Sequence, residues 1–358
     1  MTTRMPTVTA LAALVIASSA CGAEHDAQES APACTEPGPP DVTTPDGWLG
    51  YLAAHPDTTS YLIDDGRGTR IDHDADTDRS LASAVKVVHL AAYARAVAQG
   101  TMDPNEQVAV EEWERWYLPG TDGGAHEAAV ARLGGGPTVT LDGIVSAMIQ
   151  ESDNAAPDYL RARLGDDALG EAATAGGWTD FEPPTLLGSF VIALDPESAG
   201  SDPWEVARRY ADDPAFRDTI RASVTPDNPA FTEPALLEQI RTTGGLGSAA
   251  DLTAVHRSIS DGSFGAGADI ARNHLEWQPA PDIPDVAGIG FKGGALPAVV
   301  TDALTVRFDD GTIASGVLLV SGMSDEDHAA ALATYAWQPL IIGALTDPEI
   351  ADTLACLP

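Results

Sequence analysis

Ser83-Ala-Val-Lys86 is the first string along the chain that could do covalent chemistry. On a helix, residues three apart share a face, so the Lys86 amine can reach the Ser83 hydroxyl and take its proton. An amine is a poor base at its ordinary pKa, but burial disfavours the charged form and brings that value down. A helix N-terminus at Ser83 also stabilises the negative charge that develops there. Two further strings could assist. Ser152-Asp-Asn154 stands between two helix-forming segments and offers a hydroxyl and an amide to a cleft. Lys292-Gly-Gly294 follows the apolar run at 286–291, and its glycines let a substrate lie close against a strand. Attack by an activated serine on an acyl carbon is the chemistry such a set supports.

Each string alone has an ordinary explanation. Lys86 could snorkel from a helix edge, Ser152-Asp-Asn154 could cap a helix, and Lys292-Gly-Gly294 could be a strand-end turn. The cation count gives them weight. Of 19 basic residues, 17 are arginine, and the two lysines are Lys86 and Lys292. A lysine on the otherwise apolar stretch 83–98 is costly unless it has a task. Against those 19 stand 54 acidic residues, for a formal charge of −35. Such a surface repels phosphate backbones and excludes nucleic-acid binding by a basic face. The eight histidines show no metal-ligand spacing, so neither a metal nor a cofactor is expected. His89 reads as a core histidine, and Trp113 with Trp116 as packing.

The elements that must position these residues follow from patterning. Residues 61–71 read as a hairpin, 83–98 as a helix apolar on most sides, and 141–150, 158–164 and 249–259 as further helices. Two apolar runs, 303–308 and 313–321, flank Asp309-Asp-Gly-Thr312 as a second hairpin, followed by one last helix over 324–342. Residues 183–245, rich in Pro, Asp and Gly, read as long loops with short helices. Strands early and late with helices between give an α+β fold: an antiparallel sheet with flanking helices and a helical insert at about 87–270.

The N-terminus reads as an export signal over residues 1–20, with Arg4, an apolar run at 8–17 and the small residues Ser18-Ser19-Ala20. Cys21-Gly22 resembles the acylated position of a bacterial lipoprotein, with Ser18 standing where an aliphatic residue is usual. The alternative is plain secretion. Residues 21–47 read as a disordered tether, and the domain as 48–358. Cys34 and Cys356 form an even pair at opposite ends of the mature chain, which reads as a disulfide in an oxidising compartment, or as two unpaired thiols.

The ordered set Ser83-Ala-Val-Lys86, Ser152-Asp-Asn154 and Lys292-Gly-Gly294 resembles the serine β-lactamase and penicillin-binding-protein superfamily, on its class A branch. Tyr117-Leu-Pro-Gly-Thr121 resembles the class A segment that puts a tyrosine at the cleft mouth. The resemblance implies acyl transfer at Ser83, with the N–H groups of Ser83 and Ala295 as oxyanion hole. It implies that Lys86 is the general base or part of the proton relay and that Ser152 passes a proton to the leaving nitrogen. Asn154 then holds the substrate amide, Lys292 attracts its carboxylate, and Gly294 lets the substrate lie along the strand.

Three departures bear on substrate. Gly293 stands where the family has a hydroxyl, and Thr301 stands where an arginine supports the substrate carboxylate, with Arg307 several residues late. The loop that carries the deacylating Glu is represented by Phe181-Glu-Pro-Pro184, so Glu182 is the expected base and Glu197 a weaker candidate. The expected protein is therefore an exported, lipid-anchored monomeric serine hydrolase on the extracytoplasmic face of the membrane. It acts on a β-lactam or a peptidoglycan-like amide or ester. The alternatives are an esterase, a D-alanyl peptidase or penicillin-binding protein with the same nucleophile, and a non-catalytic wall-binding lipoprotein.

Overall fold

The computed structural model describes Cys34 and residues 37–225, 238, 240, 241, 245–279 and 283–358. The expected signal segment and Cys21 lie outside the described residues. The fold starts earlier than expected. Val42 is buried and its carbonyl accepts from Trp48 Nε1 at 2.8 Å, while Thr44 caps helix α1, Pro45–Ala54. The end of the expected tether thus belongs to the folded unit, because Trp48 needs a partner for its N–H inside an apolar layer.

Strands β1, Thr59–Asp64, and β2, Arg70–His73, form the first hairpin. The chain then crosses through a 3₁₀ turn at Ala82–Val85 into helix α2, Lys86–Ala98. Helices α3, Leu141–Gln150, and α4, Ala155–Leu164, bracket Ser152 and its neighbours. Helix α5, Leu186–Leu194, completes the helical side of the site, and α6, Ala249–Asp261, packs against the sheet. The stretch expected as long loops also holds ten-residue helices at Pro203–Asp212 and Pro214–Ser223. Each carries a proline in its first turn and an Asp cap, so the residues that suggested loops are helix starts.

Strands β3, Val286–Leu296, β4, Val299–Phe308, and β5, Ile313–Val320, close one antiparallel sheet in the order β2-β1-β5-β4-β3. The first and last strands of the chain therefore meet, as the α+β reading requires. The end of the chain forms α7, Asp325–Thr334, α8, Trp337–Thr346, and α9, Pro348–Ala355. The single last helix expected over 324–342 is broken by 60° at Tyr335, which takes a φ of +53°. Pro339 explains the break: it has no N–H, and its ring would clash with the Tyr335 carbonyl in a continuous helix. Two apolar clusters result, one among the helices around α2 and one between the sheet and α1, α8 and α9. The cavity described below opens where α2, α4 and β3 come together.

Candidate active site

A cavity of about 620 Å³ is lined by Ser83, Lys86, Ser152, Asn154, Lys292 and Ala295, together with largely apolar walls. Three separate segments bring these groups together. Ser83 lies in the 3₁₀ turn, Lys86 is the first residue of α2, Ser152 and Asn154 lie between α3 and α4, and Lys292 lies on β3. Two positions beside the site hold unusual backbone conformations. Ala82, immediately before Ser83, has a φ of +47°, and Ser152 has a φ of +67°. Non-glycine residues pay for the left-handed region, and such strain is concentrated at functional sites.

The close approach of β3 to the Ser83 turn depends on a missing side chain. A Cβ on Gly294 would fall 2.3 Å from Ser83 N and 2.9 Å from Ala82 Cβ. The glycine thus brings the strand backbone against the turn and leaves Ala295 beside Ser83 at the cavity wall.

Lys86 Nζ donates to Ser152 O at 2.6 Å, Asn154 Oδ1 at 2.7 Å and Ser152 Oγ at 3.2 Å. Those are the three donors of an ammonium, so Lys86 is held in its charged form while all three last. Lys292 Nζ donates to Ser152 Oγ at 3.1 Å and to Gly293 O at 2.6 Å. Ser152 Oγ therefore accepts from both lysines. Burial pulls the Lys86 pKa down to about 8, against the opposing pull of Asp153, Asp122 and Asp158. Lys292 is lowered well below its ordinary value, by burial first and by Lys86 second. Lys86 can therefore lose a proton near neutral pH, and Ser152 offers a hydroxyl path between the two amines. An amine freed of its proton three residues from Ser83 can activate that hydroxyl.

Two sequence expectations do not hold. Tyr117 is not at the cleft mouth. It is buried, its ring stacks on His126 at 4.1 Å, and its hydroxyl donates to Glu127 at 2.9 Å. Those acceptors, together with Asp122, hold the ring away from the cavity, which is lined there by the Gly120–Gly123 loop. Glu182 is exposed and lines a separate surface depression with Asp180 and Trp178, so it does not reach the acyl carbon at Ser83. The Pro183 carbonyl next to it accepts from Arg161 Nη1 at 2.9 Å, so the segment turns Pro184 to the cavity while Glu182 stays in the depression. Glu197 is likewise exposed.

The carboxylate-binding side is as sparse as the sequence implies. Thr301 pairs with Gly294 across the sheet, but its hydroxyl donates to Ser80 O at 3.2 Å. Arg307 is held by Glu276 at 2.7 Å and is absent from the cavity lining. The structure instead adds groups that sequence reasoning missed or set aside. His89, one turn beyond Lys86, lines the cavity and is held neutral because burial lowers its pKa to about 3. Asp158 and Asp302 line it as buried carboxyls. The signal for Asp158 was its position four residues after Asn154, which shares a helix face. Asp302 had none, because its burial depends on Trp337 Nε1, which donates to it from α8.

Comparison with known proteins agrees with this architecture. Residues 50–209 match the model of the beta-lactamase enzyme family. No curated protein matches the chain. A β-lactamase from Sphaerobacter thermophilus superposes with a TM-score of 0.55 at 18% identity, over 84% of this chain and 97% of that one. A β-lactamase from Chitinophaga pinensis gives 0.52 at 14%, over 82% and 98%. A variant of PBP-A, solved as an acyl-enzyme complex with penicillin G, gives 0.50 at 14%, over 85% and 98%. The fold is that of the β-lactamases and transpeptidases. The family match covers the segment carrying Ser83, Lys86, Ser152 and Asn154.

Proposed function

We propose that this chain is a serine hydrolase of the class A β-lactamase type, opening a β-lactam or related amide through an acyl-Ser83 intermediate. The observation that carries the reading is the meeting of Ser83, Lys86, Ser152 and Lys292 at one cavity, with Ser152 Oγ accepting from both lysines. Neutral Lys86 takes the Ser83 proton as Oγ attacks the carbonyl carbon. The N–H groups of Ser83 and Ala295 hold the oxyanion. Ser152 then delivers a proton, drawn from the lysine pair, to the leaving nitrogen. Asn154 orients the substrate amide once Lys86 releases its side chain.

A second reading has its own support. Gly293 carries no hydroxyl, Thr301 spends its hydroxyl on Ser80 O, and Arg307 is paired with Glu276. A substrate carboxylate finds Lys292 alone, and each missing charge-assisted hydrogen bond costs about 1.5–3 kcal/mol. This favours esters or amides without that carboxylate. The test is hydrolysis of a chromogenic cephalosporin and of neutral p-nitrophenyl esters, with intact-protein mass measured alongside, on wild type and Ser83→Ala. Serine-dependent cephalosporin turnover supports the first reading, and serine-dependent ester turnover alone supports the second. If no substrate turns over and no adduct forms, the acyl-Ser83 mechanism fails.

Export, acylation at Cys21 and a monomeric state belong to the same proposal. Neither Cys34 nor Cys356 is a free thiol, which supports a disulfide between them and an oxidising compartment. Palmitate labelling lost in Cys21→Ser, with a Cys34–Cys356 peptide found only without reductant, is the expected result.

A further inference from the structure

The acyl-Ser83 reading leaves one step without a residue, because Glu182 lies outside the cavity. Resting on that reading, we propose that Asp158 is the carboxylate that activates the water for hydrolysis of the acyl-Ser83 ester.

Position argues first. Asn154 stands at the N-cap position of α4, and its side chain receives Lys86 Nζ. Asp158 follows four residues later, so it stands one turn further along the same helix face. On the facing helix α2, His89 stands one turn beyond Lys86. Both His89 and Asp158 line the same cavity as Ser83.

The carboxyl is also built for the task. It is 2% exposed. Its Oδ2 accepts from Thr185 Oγ1 at 3.1 Å, and Thr185 Oγ1 in turn accepts from Gly188 N at 3.2 Å, so the helix start of α5 fixes the carboxyl plane. Its other oxygen, Oδ1, is buried with no hydrogen-bond partner among the described residues. A buried acceptor left open in this way is one that a water or a reacting group must satisfy.

The two other carboxyls among the described residues that line the cavity, Asp122 and Asp302, are otherwise engaged. Asp122 accepts from His126 N at 3.0 Å, Gly124 N at 3.1 Å and Tyr117 at 3.2 Å. Asp302 pairs with Gly293 across the sheet, is held by Trp337, and interacts with Lys292 and not Lys86. Asp158 interacts with Lys86, three residues from the nucleophile.

Burial raises the Asp158 pKa to about 7, against Arg161 on its own helix, the Thr185 hydroxyl, the Leu187 N–H and Lys86 on α2. His89, the other titratable group on that side, stays neutral. A carboxylate basic to that degree suits general-base work near neutral pH.

The step balances. Asp158 takes one proton from water as the water oxygen bonds to the ester carbonyl carbon. The tetrahedral intermediate expels Ser83 Oγ, breaking the C–O bond. The proton held by Asp158 passes to the neutral Lys86 and from Lys86 to Oγ, which leaves free acid and the starting enzyme.

The test follows adduct formation and decay by intact mass on the mature chain, with benzylpenicillin and with p-nitrophenyl butyrate, in wild type, Asp158→Asn and Thr185→Val. In Asp158→Asn the adduct should form at a rate within about threefold of wild type and decay at least about 100-fold more slowly. Wild-type decay should rise with pH through a limb near 7 that the variant lacks. Thr185→Val removes a donor to the charged form, so the limb should move to higher pH. If Asp158→Asn decays like wild type with the same limb, or if Thr185→Val leaves the limb in place, Asp158 only anchors α5 and the proposal fails. If wild type turns over neither reagent and forms no adduct with either, the acyl-Ser83 reading fails and this one with it.

Discussion

Gly294 on β3 lies so close to Ser83 that a side chain there would strike the backbone of the nucleophile turn, with Cβ 2.3 Å from Ser83 N. The contact joins two segments more than two hundred residues apart and sets the distance between the turn and the strand. Gly294→Ala must push β3 outward, because neither backbone can yield by rotating a side chain. Leu81, Ala84 and Val85 on either side of Ser83 belong to the helical apolar cluster and anchor the turn, so the strand yields and the fold should persist. A displacement of about 1 Å at a reacting centre costs about 100-fold. Adduct formation at Ser83 should fall by at least that factor while the far-ultraviolet circular dichroism stays unchanged.

Lys86 carries a prediction about pH. Burial brings it to about 8, so the neutral amine needed to activate Ser83 accumulates as pH rises through that value. The acylation rate should climb between about pH 6 and 8 and then level. Lys86→Arg keeps the charge but does not release a proton in proteins. Acylation should fall by about 100-fold or more, and the pH limb should vanish. Stability runs in the same direction. The folded pKa lies below the unfolded one, so between about 8 and 10.5 the unfolded chain binds more protons and the fold gains stability as pH rises. Wild type should gain on Lys86→Met in denaturant midpoint across that window.

Glu182 offers the opposite expectation. It is exposed and faces a surface depression with Asp180 and Trp178. Glu182→Gln should leave acylation and deacylation within about twofold and stability within about 0.5 kcal/mol. A large loss of adduct decay in this variant would return the deacylating role to the loop.

These contrasts show which features the sequence could carry. Ser83 with Lys86, and Ser152 with Asn154, are joined by spacings inside one helical turn or one tight corner, and such spacings can be read directly. The glycines beside Lys292 are legible for the same reason, since a strand backbone meets a ligand only where side chains are absent. The hairpins at 61–71 and 303–321 are local patterns too. Tyr117 was misread because its orientation is decided by His126, Glu127 and Asp122, whose approach depends on a separate helix start at Gly124. Glu182 was misread because Arg161, from α4, fixes the neighbouring Pro183 carbonyl. The break at Tyr335 was legible in principle, since Pro339 forbids a continuous helix, but the apolar run on both sides outweighed it.

The residue between Ser152 and Asn154 has a structural task, and it yields the last prediction. Asp153 is fully buried and accepts from Ala156 N at 2.6 Å, Trp113 Nε1 at 3.1 Å and His126 Nδ1 at 2.6 Å. It ties the Ser152 corner to α4 and to the segment carrying Trp113, and so holds Ser152 in its left-handed conformation. Asp153→Ala strands three buried donors and should cost about 3–5 kcal/mol, read as a lowered denaturant midpoint. The partner histidine gives this a pH signature. Burial pulls His126 down, but the Asp153 hydrogen bond and charge, with Glu114 and Asp122, more than offset it and raise its pKa above 6.5. A raised folded pKa means the stabilisation is fully present below the unfolded value of 6.5 and is lost as pH rises through the higher folded value. The thermal midpoint of wild type, relative to His126→Gln, should therefore be highest in mildly acidic buffer and fall toward the variant's as pH rises above neutrality. A difference between the two that stays constant across that range would show that the His126–Asp153 pair is held by hydrogen bonding alone, with no contribution from the imidazolium charge.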